Sequence, residues 1–478
     1  MALKLRVILP GAIALALTLA VNASAEPARS PNIIVFLVDM LRPDHLGLYG
    51  YSKNTSPNLD RLGQRGVVFE NARAAAPWTL PSTVSLLTGL LPSEHGARDR
   101  RVDEETRAIT YPAEPAVWLP RRFAEHGYDT VAFHSHAYLL RSVSSIHKAF
   151  KEYYYTPAEK GAPSGFKLGT PQVNEHMYLD TLYPPVERWL DSHSGRPFLM
   201  YIHVIDVRGP YKELHLLDED RGAVKRGLAN GTLAFPKQRG LDMYQATDIP
   251  HPDKSVLYDG HIRFVDDYLG KLHRKLEALG IADDTYLVFT SDHGEGFGEH
   301  RNDWGHGKYV YDANVRVPLV LLSHRSLQAA PRRIASHVNT VGLLPTLAAL
   351  AGIELEGVYA KRSFQRLLES TSEPSPWKYP SVSSGSYGDR FDAITLDGRY
   401  KLISDRQSGA REFFDLREDP GERRPMDLDR QPAEIRARLD RLVAVRLELE
   451  RSTVPAASEI HELDEDSIRA LEALGYLQ

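Results

Sequence analysis

Four apolar runs in this chain each end in an aspartate or a histidine. They are residues 32–39 (NIIVFLVD), 129–136 (DTVAFHSH), 198–206 (FLMYIHVID) and 285–293 (TYLVFTSDH). Near-continuous runs of Val, Ile, Leu and Phe are typical of strands buried on both faces of a parallel sheet. Helical patterns lie between them, at residues 56–66 and 260–280. The alternation predicts an α/β fold, in which helices flank a doubly wound, mostly parallel sheet.

The polar residues that end these strands are candidates for one shared site. Ligands of open α/β sheets bind beyond the carboxyl ends of the strands. We therefore expect the side chains of Asp39, Asp206, Asp292 and His293 to point toward the same place. Taken singly, an aspartate in this position more often caps the next helix than binds a ligand.

The stretch SDHGEGFGEH, residues 291–300, indicates a metal site. Asp292 and His293 adjoin at a strand end, and the glycines that follow allow the backbone to approach a ligand closely. Carboxylate oxygens and imidazole nitrogens suit one divalent ion of the Ca, Mn, Mg or Zn group. The chain has no cysteine, which excludes disulfides and thiolate ligands.

A threonine at the start of a predicted helix has two interpretations. Thr79 lies in PWTLPSTVSLLTG, residues 77–89, where threonine is an ordinary helix cap. A helix start also attracts a phosphate or sulfate anion and favours an ionised hydroxyl. Neutral threonine is a poor nucleophile and needs a metal or a base, which a metal on Asp39, Asp292 and His293 could supply.

The N-terminus has the pattern of a secretory signal peptide. Lys4 and Arg6 precede an apolar stretch, and residues 23–25 (ASA) form a small-residue cleavage site. We expect residues 1–25 to be removed, leaving a periplasmic or secreted protein without a membrane span. An uncleaved anchor is the alternative, since the apolar stretch is only slightly shorter than the roughly 20 residues of a span.

The charge balance limits the kind of partner. The full chain has 58 Lys and Arg against 63 Asp and Glu, a formal net charge of −5, and loss of Lys4 and Arg6 would bring it to about −7. Nucleic-acid-binding proteins usually carry a basic patch. Nucleic acid is therefore excluded as the main partner.

The composition changes near residue 370. The Ser- and Pro-rich stretch 368–389 predicts a linker or a long surface loop. After it, residues 392–405 and 411–422 predict two antiparallel strands and a turn, and a charged helix should run from about Pro432 to Arg451. We expect a main domain at residues 26–370 and a small α+β subdomain at residues 371–478.

Together these segments resemble the sulfatase family of the alkaline phosphatase superfamily over almost the whole mature chain. The resemblance is carried, in family order, by residues 31–51, 55–96, 257–272, 287–300, 306–321, 400–405, 412–422 and the tail 468–478. It implies an alkaline phosphatase-like fold and a catalytic role for the main domain. It also implies that Asp39, Asp292 and His293 bind the metal and that Thr79 is the nucleophile.

Several positions depart from the family pattern. Thr79 stands where sulfatases carry the Cys or Ser that is oxidised to formylglycine, and threonine cannot form that aldehyde. Thr83 replaces the supporting arginine, Met40 the second aspartate of an Asp-Asp pair, and Arg208 a frequent catalytic histidine. The resemblance therefore implies an enzyme without formylglycine. Because unmodified threonine is the nucleophile in relatives that transfer phosphoryl groups, phosphoryl chemistry is favoured.

Further polar residues are candidates for the substrate and the leaving group. Arg208 is suited to a bidentate grip on an anion, and we expect the three histidines His134, His136 and His203 to contribute to substrate binding. His306 and Lys308 flank the family's lysine position and could neutralise charge or protonate the leaving group. Ordinary surface polarity is the alternative for both.

A second metal would need more ligands. Asp206, His203 and His306 are candidates, but their spacing fits the family pattern poorly.

The leading hypothesis is an exported, metal-dependent hydrolase of phosphate, phosphonate or sulfate esters. Its substrate would be a small molecule, a glycan or a lipid ester. The alternatives are a sulfuric ester hydrolase that works without formylglycine, a phosphoethanolamine- or phosphoglycerol-type transferase, and a non-catalytic anion-binding protein. Loop residues 150–180, which are rich in tyrosine, could contact a sugar or aryl group or pack under the loop.

Overall fold

The computed structural model describes residues 30–97, 108–112, 117–141, 143–156, 178–193, 195–208, 217–229, 251–301, 303–328, 332–369, 380–386, 390–452 and 458–462. From Pro31 onward these belong to one compact unit. The predicted signal peptide, residues 157–177 of the loop expected at 150–180, and the tail 468–478 lie outside the described residues. The expected loop is in part regular structure, since residues 152–155 form a strand and a helix begins at residue 178.

Sixteen strands occur in the described part of the chain. They are β1 Asn32–Val38, β2 Val67–Arg73, β3 Ala108–Pro112, β4 Asp129–His134, β5 Glu152–Tyr155, β6 Phe198–Val204, β7 Thr285–Thr290, β8 Gly296–Phe297, β9 Trp304–Gly305, β10 Arg316–Ser323, β11 Arg332–Asn339, β12 Ser381–Ser383, β13 Phe391–Leu396, β14 Tyr400–Asp405, β15 Arg411–Asp415 and β16 Ser458–Glu462.

The same ranges contain thirteen α-helices. They are α1 Pro57–Gly63, α2 Thr79–Thr88, α3 Pro92–His95, α4 Leu119–Glu125, α5 Tyr178–Ser192, α6 Asp218–Ala229, α7 His251–Ala278, α8 Asp312–Val315, α9 Arg325–Gln328, α10 Leu343–Leu350, α11 Val358–Arg362, α12 Gln365–Glu369 and α13 Ala433–Ser452. None of these helices has the length and apolarity to cross a membrane.

The central sheet has eight strands in the order β11-β2-β10-β7-β1-β6-β4-β5. All its pairings are parallel except those of β10, which runs antiparallel to β2 and β7. The four apolar runs form β1, β4, β6 and β7, which confirms the predicted doubly wound, mostly parallel sheet. Strand β10 was not expected from the pattern.

Both faces of the sheet are buried. Along β1, Ile33, Val35 and Leu37 pack into one hydrophobic cluster. The alternate residues Ile34, Phe36 and Val38 pack into a second cluster on the opposite face. This burial explains why the strands are apolar at every position rather than at every second one.

The C-terminal part forms an antiparallel sheet of four strands, β12-β13-β14-β15, and α13 packs against it through Leu439. The predicted small α+β subdomain is therefore present, and the predicted helix is α13. The stretch 368–389 is only in part the loop we expected. Within it β12 is paired with β13, and Ser383 and Ser384 are buried against residues 74–75.

Candidate active site

Strand register brings Asp39 next to Asp292. β1 lies between β6 and β7 and is parallel to both, so the residues that follow β1 and β7 leave the sheet at the same edge. Asp39 is anchored by its backbone N–H, which donates to the Val204 carbonyl at 2.9 Å. Ligand atoms of Asp39, Asp292 and His293 lie within 4.8 Å of one another, and all three residues are buried.

The tautomer of His293 follows from its neighbours. Its Nδ1 lies 2.8 Å from the Gly294 carbonyl oxygen, which can only accept, so Nδ1 carries the proton. The lone pair of Nε2 then faces Asp39 Oδ1 at 3.2 Å and Asp292 Oδ2 at 3.5 Å. In the neutral ring this lone pair is repelled by the two carboxylates, and either a proton on Nε2 or a metal ion in its place relieves the repulsion.

This donor set fits a divalent metal ion. Two carboxylates and one imidazole are oxygen and nitrogen ligands of the kind that Zn, Mn and related ions accept. Asp39 Oδ2 and Asp292 Oδ2 are buried and have no hydrogen-bond partner. Such unpaired oxygens are costly to bury, and a cation would satisfy them.

The pKa shifts of Asp39, Asp292 and His293 also indicate that the cluster favours a bound positive charge. Burial, together with the charge of Asp39, raises the pKa of Asp292 to about 7. Although burial alone would lower it, the charge of Asp292 and the bond to Asp39 raise the pKa of His293 to about 9. Burial opposes ionisation of Asp39, yet the hydrogen bond and charge of His293 hold its pKa well below the usual range.

Thr79 does not cap its own helix. The N-cap of α2 is Trp78, which makes no side-chain cap, and Thr79 is the first helical residue. The Thr79 hydroxyl lies 3.2 Å from His293 Nε2 and 3.5 Å from Asp39 Oδ1. It is fully buried. The Thr79 hydroxyl thus lies beside Asp39 and His293 instead of capping α2.

His136 presents a donor to the same site. Its Nδ1 accepts the backbone N–H of Tyr138, so in the neutral ring the proton sits on Nε2. Nε2 lies 3.6 Å from Asp39 Oδ2, and Arg208 Nη1 lies 4.0 Å from the same oxygen. His136 and Arg208 are therefore placed to donate to an anion beside the cluster, and the proton keeps His136 from acting as a metal ligand.

His203 and His134 are fully buried. His203 Nε2 has no hydrogen-bond partner and lies 3.9 Å from Asp292 Oδ2, while Nδ1 contacts the Tyr201 hydroxyl at 2.9 Å. Burial lowers the pKa of His203 to about 4. His134 Nδ1 donates to the His136 carbonyl at 3.2 Å. Its ring lies between those of Tyr153 and Tyr155.

The two candidates for the leaving group are placed differently. His306 is buried, its ring centre is 4.7 Å from that of His293, and its Nδ1 lies 3.0 Å from Glu295 Oε2. Lys308 is exposed, and its ammonium lies 5.0 Å from the ring centre of Tyr309. The structure brings His306, but not Lys308, against the cluster.

Two residues that support the site, Glu295 and Tyr258, were not expected from the sequence. Glu295 orients His306, and the Tyr258 hydroxyl donates to the Met40 carbonyl at 2.7 Å. Met40 has a φ of 61°, a conformation that costs energy for a residue with a side chain. Its backbone N–H points to Asp292 Oδ1 at 3.4 Å. Glu295 could have been suspected from its place in SDHGEGFGEH, but no local pattern singles out Tyr258.

Asp206, the fourth strand-end residue, forms hydrogen bonds with the backbone of Leu179 and the side chain of His261. Its carboxylate accepts the N–H of Leu179 at 3.1 Å, and its carbonyl lies 2.6 Å from His261 Nδ1. It is not among the cluster's ligands in the described part of the chain.

The protein thus combines a mostly parallel α/β sheet with a buried cluster of two aspartates, a histidine and a threonine at the carboxyl edge of the sheet. Sequence comparison shows the family to which it belongs. The sulfatase family profile matches residues 31–353, and the chain belongs to this family. It is similar to a Delta 4,5-hexuronate-2-O-sulfatase of Bacteroides thetaiotaomicron, 22% identical over 87% of this chain and 88% of that protein. It is also similar to human iduronate 2-sulfatase, 26% identical over 68% and 69% of the two chains. The chain is accordingly a sulfatase-family hydrolase that acts on ester bonds.

Solved structures share the fold. The phosphonate monoester hydrolase of Agrobacterium radiobacter superimposes with a TM-score of 0.63 at 20% identity, covering 88% of this chain and 96% of that chain.

Proposed function

We propose that this protein is an exported, metal-dependent hydrolase in which Thr79 is the nucleophile, acting on phosphate or phosphonate esters. The observation that carries the proposal is the position of the Thr79 hydroxyl. Thr79 is the first residue of α2 but does not cap the helix. Its hydroxyl instead contacts Asp39 and His293. Export rests on the signal-peptide pattern of residues 1–25, and the division into domains at residue 370 is likewise a prediction.

The metal would be held by Asp39, Asp292, His293 and the Thr79 oxygen. A bound divalent ion lowers the pKa of a hydroxyl that it touches and offsets negative charge on the ester. The protein's part is to hold the four ligands in a dry pocket. Gly294 fixes the His293 ring through Nδ1, and the Met40 N–H orients Asp292.

The reaction follows from the position of Thr79. Its oxygen forms a bond to phosphorus while the bond to the leaving oxygen breaks, and the hydroxyl proton ends on the released alcohol. Water then cleaves the threonine ester, which restores the hydroxyl and releases the acid. During both steps the N–H groups of His136 and Arg208 would hold the anionic oxygens.

His306 is the better candidate for assisting the leaving group. It is buried beside His293 and oriented by Glu295, and such a positioned imidazole can pass a proton to an oxygen. Lys308 would need its side chain to move from Tyr309.

Sulfate esters are the second candidate substrate class. The relatives named above are sulfatases, whereas the phosphonate monoester hydrolase shares the fold. Phosphoryl transfer is favoured because threonine cannot be converted to formylglycine. A transferase would use the same Thr79 step with an alcohol in place of water.

The nucleophile is tested with the purified mature chain and aryl phosphate, phosphodiester, phosphonate and sulfate esters. We expect Thr79→Ala to lower kcat by at least about 10³-fold, as removal of a nucleophile does in other hydrolases. Thr88→Ala, at the other end of α2, is the matched control. Full turnover by Thr79→Ala would refute the assignment, and preferential hydrolysis of the sulfate ester would move the substrate to the second class.

The metal site is tested by metal analysis. We expect about one divalent ion per wild-type chain and a loss of at least about tenfold in metal affinity for His293→Ala, because one ligand is removed. His324→Ala, a half-buried histidine after β10 and outside the cluster, should keep the ion. A wild-type chain that purifies without metal and takes none up would favour the non-catalytic alternative.

A further inference from the structure

A cleft lies between the edge strand β5 and helix α5. Its volume is about 400 Å³, and its walls include Glu152, Tyr154, Arg188, Trp189, Ser192 and His193. This volume is in the range of roughly 300–1,000 Å³ that small-ligand sites occupy.

The cleft is separate from the catalytic cluster. Its residues Glu152 and Tyr154 belong to the edge strand β5, where they pair with Val131 and Phe133 of β4. Two strands, β6 and β4, separate β5 from β1, a distance of about 14 Å between β1 and β5. None of the residues that line the cleft belongs to the cluster of Asp39, Asp292 and His293.

One wall of the cleft is aromatic. Tyr154 is 40% exposed, and its ring stacks on Phe133 with 4.8 Å between ring centres. Trp189 stacks on His193 with 4.5 Å between centres. Trp189 is buried, and the exposed Tyr154 ring is held by Phe133, so little side-chain entropy would be lost when a flat apolar surface packs on Tyr154.

A carboxylate is fixed beside these rings. Glu152 Oε2 accepts the Tyr154 hydroxyl at 2.7 Å, and Glu152 Oε1 accepts the Trp189 indole N–H at 3.0 Å. Both donors are uncharged, and each oxygen keeps a lone pair for another donor. The oxygens are therefore oriented to accept two neighbouring hydroxyl groups.

The charges of the cleft favour an uncharged ligand. Asp129 is neutralised by Arg196 at 2.7 Å and by Lys151 at 3.5 Å. The single negative charge of Glu152 is opposed by the exposed guanidinium of Arg188, which also lines the cleft. A cation would be repelled by Arg188 and an anion by Glu152.

We propose that this cleft binds an uncharged pyranose sugar. The apolar C–H face of the ring would pack on Tyr154, two adjacent hydroxyls would donate to Glu152, and Arg188 would donate to a ring or hydroxyl oxygen. The site does not depend on the proposed catalytic function, since it shares no residue with the metal cluster.

The test is calorimetric titration of the mature protein with methyl glucoside, methyl galactoside, methyl mannoside and N-acetylglucosamine. Tetramethylammonium chloride and glucuronate serve as charged probes. We expect saturable millimolar binding of at least one neutral sugar, weakened about tenfold or more by Tyr154→Ala and by Glu152→Gln. Glu125→Gln, an exposed carboxylate paired with Arg122, is the control for charge and should bind as wild type does.

Two further measurements keep the result decisive. Both variants should still unfold cooperatively and retain ester turnover, and Thr79→Ala should bind the sugar unchanged. The proposal is overturned if no neutral sugar binds, if a charged probe binds instead, or if the binding survives both substitutions.

Discussion

At the scale of single residues, histidine tautomers decide which side chains can hold a cation and which can hold an anion. In their neutral forms His293 and His134 donate from Nδ1 to a carbonyl and leave Nε2 as an acceptor. His136 accepts at Nδ1 and leaves Nε2 as a donor. Three similar histidines at strand ends thus have different chemistry, which depends on the backbone group that each one meets.

His134 should make stability depend on pH. Burial keeps its pKa well below the ordinary value of 6.5, so the unfolded chain binds more protons in this range. Its contribution to the free energy of unfolding is complete above pH 6.5 and is lost as the pH falls toward the folded pKa. His134→Asn retains a donor for the His136 carbonyl and removes the titration.

We expect the difference in unfolding free energy between wild type and His134→Asn to shrink below pH 6.5, by at most about 1.4 kcal/mol per pH unit. Urea unfolding at several pH values measures it. His126→Asn is the control, because His126 makes a similar bond to the Arg122 carbonyl on the surface. A difference that stays constant with pH would contradict the prediction.

At the scale of elements, the loop after β7 is shaped by contact with the segment before β10. The Gly294 N–H donates to the Asn314 carbonyl at 2.8 Å. A Cβ on Gly294 would lie 2.1 Å from the Ala313 carbonyl oxygen, closer than two such atoms can approach. This glycine therefore permits the close approach that holds the His293 ring in place.

Gly294→Ala should destabilise the protein by about 1–3 kcal/mol, the usual cost of overpacking, and also lower metal affinity because His293 must move. Gly222→Ala in α6 is the matched control, since the nearest atom to its Cβ is the end of a flexible arginine at 3.4 Å. That change should be neutral or slightly stabilising. Thermal unfolding and metal analysis of both variants check the prediction, and wild-type metal content in Gly294→Ala would contradict it.

At the scale of the whole molecule, a buried ion network joins the two sheets. Lys401 of β14 contacts Asp312 and Glu422 at 2.7 Å each, and Asp312 also pairs with Arg73 of β2 at 2.7 Å. The Lys401 side chain is fully buried and that of Glu422 nearly so. The C-terminal sheet is therefore attached to the central sheet by charges as well as by apolar contacts.

Lys401→Met should cost about 3–5 kcal/mol of unfolding free energy, because Glu422 would remain buried without its cation. Arg438→Met, which breaks a partly exposed pair with Asp397, should cost at most about 1 kcal/mol. Denaturant unfolding compares the two. If both substitutions lower the unfolding free energy equally, the buried network contributes no more than a surface ion pair. The double variant Lys401→Met, Glu422→Gln should recover part of the unfolding free energy lost in Lys401→Met, because the buried carboxylate is then replaced by a neutral amide.

Much of the fold could be predicted from the chain because burial on both faces makes strands β1, β4, β6 and β7 apolar throughout. Strands β2, β5, β10 and β11 were not among the predicted runs. The antiparallel direction of β10 could not be predicted, because an apolar run carries no information about strand direction. Strand β12 was missed because its serines are satisfied by backbone groups of a distant segment, such as the Ala74 carbonyl that accepts from Ser383.

The sequence by itself determined the residue types at the strand ends, the absence of any thiol and the place of Thr79 at a helix start. Tertiary structure alone decided what these residues can do together. Met40 and Asp292 meet although they are 252 positions apart, and the tautomer of the neutral His293, His134 and His136 rings depends on a carbonyl or N–H supplied by the folded backbone. The strands can be predicted from the sequence because buried strands must be apolar. The orientation of a histidine lone pair is set only when the neighbouring elements have packed.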